Sequence, residues 1–258
     1  MILIPPPAVY IDTGLEYPEI REFVKTKENV IWLKPKMNFR NVIKSYGYPL
    51  ISKDVSSTLE QAIRKPDGYK MQRFTKGSKY HQKYGDRWML FRWSFLLDAP
   101  FKVSDRCCYI MKKNPAKKYE KETGRVPILA TMACESDLRK THWLKNACNT
   151  FDGKRATSQP LSFWTEQDIL EYIVKYNLAY APVYGEILKD DKGKYHTTGC
   201  QRTGCVFCGF GCHLEKSPNR FQRLKITHPK LWNYCMKPWE DGGLGMREVL
   251  EYIGVDVQ

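Results

Sequence analysis

Within its first fifty residues the chain alternates twice between a short apolar run and an amphipathic segment. Ala8-Val9-Tyr10-Ile11 reads as a buried strand that ends at Asp12-Thr13-Gly14. A helix follows: Pro18 suits its first turn, Glu19 and Glu22 favour its positive end, and Ile20, Phe23 and Val24 supply an apolar face. Val30-Ile31-Trp32-Leu33 predicts a second strand, and a second helix runs from about Asn38 to Tyr46. This order marks a parallel sheet, because parallel strands need a crossover long enough to hold a helix. The predicted class is α/β, with a mostly helical, cysteine-rich C-terminal part.

The middle, about 55 to 115, reads as mostly helical, with Ser56 or Ser57 as one cap and Trp88, Phe91, Trp93 and Phe95 on one helix. Pro127-Ile128-Leu129-Ala130-Thr131 predicts a third buried strand, running into Glu135-Ser136 and a basic helix start. Thr165 with Asp168 predicts a capping box before the amphipathic run Ile169 to Ile173. Gly199 to Gly211 is rich in cysteine and glycine and reads as loop; two or three short helices finish the chain, one opened by Ser217-Pro218. No internal repeat is present. The predicted division is an α/β domain over 1–196 and a cysteine-rich loop with helices over 197–258.

Composition narrows the function classes. With 42% hydrophobic and 13% aromatic residues the chain can fill a core, which excludes general disorder. No stretch approaches the roughly 18–20 apolar residues that span a bilayer, so no membrane partner is expected. The opening Met-Ile-Leu-Ile lacks a basic flank and breaks at Pro5-Pro6-Pro7, which argues against a secretory signal and for the cytoplasm. Thiols stay reduced there, so nine cysteines point to metal or catalysis before disulfides. A net charge of +14 fits a polyanionic partner, whether nucleotide, RNA or DNA, and equally a solubilising surface. Lys112-Lys113 and Lys117-Lys118 are the densest basic pairs.

Six of the nine cysteines fall in two places: the adjacent pair Cys107-Cys108, and Cys200, Cys205, Cys208 and Cys212 in the spacing C-x4-C-x2-C-x3-C. A C-x2-C in a glycine-rich turn lets two thiolates face one metal. Zinc and an iron–sulfur cluster both accept four thiolates, and the spacing leaves the metal open. Cys134, Cys148 and Cys235 read as small buried hydrophobes.

Several motifs then combine. Val9 to Glu19, with Asp12-Thr13-Gly14 at its centre, resembles the D-T-G segment after the second strand of the phosphoadenosine phosphosulfate reductase family, part of the adenine nucleotide alpha hydrolase superfamily. Cys107-Cys108-Tyr109-Ile110-Met111-Lys112-Lys113-Asn114-Pro115 resembles the C-C-x-x-R-K-x-x-P motif of its iron–sulfur members, the adenylylsulfate reductases. Gly204-Cys205-Val206-Phe207-Cys208 resembles their G-C-x-x-C, Glu135 to Arg139 the substrate loop, and Pro160 to Thr165 the P-L-x-x-W segment. The look is that of phage- and bacterium-borne members. The resemblance implies a Rossmann-like parallel sheet and a [4Fe–4S] cluster on Cys107, Cys108, Cys205 and Cys208, with Lys112 as a nearby positive charge. Cys200 and Cys212 have no counterpart in the motif and stand as reserve ligands. It further implies an adenine-nucleotide site on Asp12, Thr13 and Gly14 at the strand ends. Glu135, Ser136 and Arg139 would complete that site, with Arg139, joined by Lys140, gripping phosphate or sulfate.

Three departures accompany the match. The superfamily's S-G-G-x-D-S phosphate loop precedes the D-T-G segment by some tens of residues, and here only eleven residues precede Asp12. That predicts a late start site, a truncated gene or a segment from another chain. The reductases carry a nucleophilic cysteine in an E-C-G-L-H tail, whereas no cysteine follows Cys235 here. Met111 replaces the motif's arginine, and Thr131-Met132-Ala133 lacks the arginine usual before the substrate loop. Two readings follow. One is an enzyme binding a sulfonucleotide or ATP beside the cluster, for sulfonucleotide reduction or for sulfur transfer to tRNA or DNA, served by a thiol electron donor or a sulfur donor. The other is a non-catalytic module, stabilised by the cluster or by zinc, that binds nucleic acid or a partner through Lys112, Lys113, Lys117 and Lys118.

Overall fold

A computed structural model describes residues 5–151 and 155–258; the Met1 to Ile4 run read above lies outside them. In chain order the elements are β1 (Ala8–Ile11), α1 (Pro18–Lys25), β2 (Val30–Leu33), α2 (Phe39–Tyr46), β3 (Leu50–Ile51), α3 (Lys53–Arg64), α4 (Lys79–Tyr84), α5 (Arg106–Cys108), α6 (Asn114–Thr123) and α7 (Asp137–Asn146). There follow β4 (Asn149–Thr150), β5 (Thr157–Ser158), α8 (Glu166–Lys175), β6 (Ile187–Lys189), β7 (Tyr195–Thr197), β8 (Gly209–Phe210), α9 (Arg220–Thr227), α10 (Pro229–Met236) and α11 (Met246–Tyr252). The chain is α/β, and the opening strand–helix–strand–helix order stands where the apolar periodicity puts it. These elements belong to two units, each assembled from separate stretches of chain.

The first unit takes the segment up to Tyr10, then Glu16–Leu33 and Pro115–Thr203. In it β1 pairs with β2, and Tyr10 meets Trp32 edge-on with ring centroids 4.7 Å apart. The capping box before α8 is formed: Thr165 Oγ1 accepts from the Asp168 N–H at 3.3 Å, and Asp168 accepts from the Thr165 N–H at 2.7 Å. Gln167 on α8 then grips β7, bonding the backbone N–H and carbonyl of Tyr195 at 2.8 and 2.7 Å. The predicted buried strand over Pro127–Thr131 is not formed. Ile128 makes a single bridge to Ser158 and is 60% exposed. An apolar run becomes a buried strand only where a partner and a covering layer reach it.

The second unit takes Ile11–Leu15, Lys34–Asn114 and Gly204–Gln258. Its parallel pair joins β3 to β8, with Leu50 opposite Gly209 and Ile51 opposite Phe210. Val42, Leu50, Leu59, Leu96, Phe221, Leu224, Leu244, Met246 and Leu250 form its core. Helix α3 is capped by Ser52, whose Oγ accepts from the Val55 N–H at 3.1 Å. The predicted cap Ser56 is instead buried inside the helix, its hydroxyl donating to the Leu50 carbonyl at 2.6 Å. The aromatic stretch expected as one helix is broken into 3₁₀ turns at Asp86–Trp88 and Phe91–Asp98. Three helices finish the chain; α9 starts from Asn219, whose side chain accepts from the N–H groups of Phe221 and Gln222 at 2.9 and 3.1 Å. Ser217-Pro218 lies just before that cap rather than in the helix.

One ion pair anchors the middle of this unit. Arg73, 7% exposed, donates to both carboxylate oxygens of Asp54 at 2.9 and 2.7 Å, to the Thr58 hydroxyl at 3.0 Å and to the Trp88 carbonyl at 2.9 Å. Hydrogen bonding from Arg73 holds the Asp54 carboxyl below its usual 3.8. A depressed folded-state pKa contributes stability above the unfolded value and loses it as pH falls toward the folded one. Asp54→Asn is therefore expected to flatten the loss of stability below about pH 4. Urea midpoints measured across that acid range check it, and equal slopes for both proteins would refute it.

Candidate functional site

Cys107 and Cys108 end α5 and lead directly into a π-helical turn, Tyr109–Lys113. Such turns recur at functional sites because the extra residue redirects side chains within a helix. Cys205 and Cys208 lie on a turn closed by the Cys208 N–H donating to the Cys205 carbonyl at 3.0 Å. Arg220 fastens its far side, Nη1 donating to the Cys208 carbonyl at 3.0 Å, and Glu215 holds Arg220 through Nε at 2.7 Å. The next residue, Gly209, enters β8, where an added Cβ would stand 2.6 Å from the Pro49 carbonyl oxygen. Only glycine lets the cysteine turn come this close to the strand.

These four cysteines line one small apolar cavity, together with Leu15, Phe39, Pro49, Met111 and Lys112. Phe39 and Phe207 stack behind it with centroids 6.3 Å apart. The D-T-G segment reaches the same place. Thr13 is buried and its hydroxyl accepts from the Leu15 N–H at 3.1 Å; the Leu15 carbonyl in turn accepts from the Val206 N–H at 2.8 Å. Gly14 has φ 72°, the left-handed conformation that turns the chain after β1. A backbone bond thus joins the predicted nucleotide segment to the middle of G-C-x-x-C.

The thiols are not equivalent. A hydrogen bond from Cys107 brings Cys108 down to about 6, with the Lys53 and Lys112 ammonium groups adding to the effect against burial. Cys107, as donor and buried, is pushed well up. Burial also raises Cys208. Cys108 borders a second hollow of about 310 Å³, lined by Lys53, Ser57, Glu60, Gln61, Asp105, Arg106, Tyr109 and Lys113, in which Arg106 pairs with Glu60 at 3.0 Å. Lys53, Phe39, Pro49 and the polar hollow had no signal in the sequence, since each enters through long-range packing. Among the described residues no three histidine, cysteine, aspartate or glutamate side chains stand together at distances that would hold a metal ion.

The remaining predicted residues are placed as follows. Cys212 is buried, its thiol donating to the Gly209 carbonyl at 3.0 Å, and burial raises it to about 12. Cys200, in the first unit, is half-buried and held through its backbone, its N–H donating to the Val183 carbonyl at 2.9 Å. Of the three cysteines expected as buried hydrophobes only Cys235 is one, fully buried with its thiol raised by burial; Cys134 is exposed and Cys148 half-buried, where no packed layer covers them. Also in the first unit, Ser136 caps α7 by accepting from the Arg139 N–H at 3.3 Å. Glu135 accepts from the Met132 N–H at 2.8 Å and pairs with the Arg139 guanidinium. Burial opposes ionisation of Glu135, but Met132 and Arg139 outweigh it and keep the carboxyl below its usual range.

Comparison with known proteins completes the picture. A family model for the phosphoadenosine phosphosulfate reductase domain matches residues 2–209. No protein of curated function matches. Among solved structures, a phosphoadenylyl-sulfate (PAPS) reductase from Candida auris, crystallised as a phosphate complex, is similar at 13% identity and a TM-score of 0.36. That similarity covers 74% of this chain and 72% of the other. The family match takes in both the D-T-G segment and the G-C-x-x-C turn that Val206 bonds to it, over roughly four-fifths of the chain. The chain belongs to the phosphoadenosine phosphosulfate reductase domain family.

Proposed function

We propose that this protein binds an adenine nucleotide, as a sulfonucleotide or ATP, next to a [4Fe–4S] cluster and works in sulfonucleotide reduction or sulfur transfer. The observation that carries this reading is the cavity onto which Cys107, Cys108, Cys205 and Cys208 all open, beside the D-T-G turn. The donor types suit the group, four sulfurs on one cavity with apolar walls from Leu15, Phe39, Pro49 and Met111 to exclude water; since no three of them stand at metal-holding distances among the described residues, loading has to draw them together. When bound, the cluster supplies redox-active iron and a concentrated charge at the wall of the nucleotide site. Asp12, Thr13 and Gly14 form the edge that receives the nucleotide, the glycine permitting close backbone approach. Lys112 faces the cavity as a positive charge toward cluster and substrate. Arg139, in the first unit, is the residue that the resemblance assigns to phosphate or sulfate, and within that unit it pairs with Glu135.

A reductase of this family needs a nucleophilic thiol, and the C-terminal Cys235 is unsuited to that role, being fully buried and raised by burial. Anaerobic reconstitution with iron and sulfide tests the reading. About four irons and four sulfides per chain, a visible charge-transfer band and binding of adenosine phosphosulfate or ATP are expected. Zinc alone, with no affinity for either nucleotide, would overturn it.

A further inference from the structure

The charge of this chain is not spread evenly. Residues 34–114 hold 18 basic and six acidic side chains, an excess of 12 out of the chain's 14. Arg64 to Arg92 alone holds nine basic and two acidic residues, interleaved with six aromatic ones. This stretch is folded rather than a loose tail. Ser78 caps α4 by accepting from the His81 N–H at 3.2 Å, and the Gln72 side chain accepts from the Tyr80 N–H at 3.0 Å. Arg73 fastens the stretch to α3 as described above, and it alone of the nine basic residues is buried. Arg64, Lys65, Lys76, Lys79, Lys83 and Arg87 are exposed.

The aromatic residues are arranged as well. Tyr69, Tyr80 and Tyr84 form a ladder with successive centroids 4.9 and 4.6 Å apart. Its two ends stay open to solvent, Tyr69 at 53% and Tyr84 at 42%, and Trp88 is 51% exposed. Lys83 Nζ lies 5.1 Å from the centre of the Tyr84 ring, and the Arg87 guanidinium 5.4 Å from that of Trp88. Half-exposed rings with cations beside them are what a ligand with flat bases and a phosphate backbone requires. A field of one sign costs self-repulsion unless a polyanion relieves it. An acidic protein would use the charge but not the rings. A membrane surface would need an apolar stripe, which the six residues of α4, Lys-Tyr-His-Gln-Lys-Tyr, do not supply.

We propose that Arg64–Arg92 is a binding platform for single-stranded nucleic acid. Rings stack only on bases freed from a duplex, which selects the single strand. The platform stands independently of the cluster reading, since none of its residues lines the cysteine cavity.

The test is fluorescence anisotropy of the full-length protein with a labelled mixed-sequence single strand of roughly 16 nucleotides, as RNA and as DNA. Between about 50 and about 200 mM salt the affinity should fall with a log–log slope near −0.7 per phosphate contacted. Combined Lys79→Glu, Lys83→Glu and Arg87→Glu should weaken binding at least about tenfold and flatten that slope by about 2. Combined Tyr69→Ala, Tyr84→Ala and Trp88→Ala should weaken it about tenfold with the slope unchanged. The same charge reversal at Lys189, Lys192 and Lys194, on and beside the β6–β7 hairpin, should change it less than about twofold. Photo-crosslinking of the unaltered protein to a thiouridine-containing strand should map to 64–92, a readout free of any folding effect of the substitutions. Salt-insensitive or absent binding, equal loss from the hairpin reversal, no effect of the ring substitutions, crosslinks elsewhere, or tighter binding to phosphatidylserine vesicles would each overturn the proposal.

Discussion

Cys208→Ser is expected to cut the iron and acid-labile sulfide of the reconstituted protein at least about tenfold, whereas Cys235→Ser leaves both unchanged. The contrast follows from where the two thiols stand. Cys208 opens onto the shared cavity, on a turn closed onto Cys205 at 3.0 Å and pinned from outside by Arg220 at 3.0 Å. That turn survives the substitution, because its bonds are made by the backbone; only the soft sulfur donor is lost. Cys235 is fully buried in α10, and burial alone raises its thiol, so it has no route to an ion in the cavity. Cys107→Ala, Cys108→Ala and Cys205→Ala should behave as Cys208→Ser does. Metal analysis with far-UV circular dichroism of each variant decides the matter. Unchanged iron in a folded Cys208→Ser protein, or equal losses at 208 and 235, would sink the four-cysteine assignment.

Gly209→Ala should destabilise the turn that carries Cys205 and Cys208. An added Cβ would meet the Pro49 carbonyl oxygen at 2.6 Å and Leu50 Cδ2 at 3.0 Å. The first of these is backbone, and Pro49 cannot retreat without loosening the parallel pairing of Leu50 with Gly209. Overpacking of this kind costs about 1–3 kcal/mol. For a chain of this size that lowers Tm by roughly 2–12 °C, with Cys208 displaced alongside. Gly204→Ala is the control. It has open space at its Cβ position and no left-handed backbone, so its effect should stay within about 0.5 kcal/mol. Thermal unfolding of the two variants side by side checks this, and equal Tm values would refute the close-approach argument.

The two glycines show what spacing alone conveys. Both flank the C-x2-C, and both looked alike as residues that ease a tight turn. Only one is required, and for a reason the sequence did not contain: Pro49, some 160 positions earlier in the chain, lies against its backbone. The caps divide in the same way. Thr165 with Asp168 was legible because both halves of the box sit three residues apart. At α3 three serines within a few residues could serve, and Ser52 took the cap while Ser56 was drawn into the core, bonding the Leu50 carbonyl. The run Pro127–Thr131 failed as a strand because its apolar pattern found one bridge and no cover.

What the sequence by itself determined is local or compositional. The alternation of β1, α1, β2 and α2, the adjacent cysteine pair and the G-C-x-x-C turn depend on neighbours within a few residues. The family, too, could be read from the order of its motifs. The tertiary structure decided which distant pieces meet. It assembled each unit from three separate stretches of chain, paired β3 with β8, and tied Leu15 to Val206, so that the four cysteines share one cavity with the residue that follows the D-T-G turn. Periodicity and spacing report short-range geometry, whereas these meetings arise from burial shared between segments far apart in the chain, which leaves no mark on either segment alone.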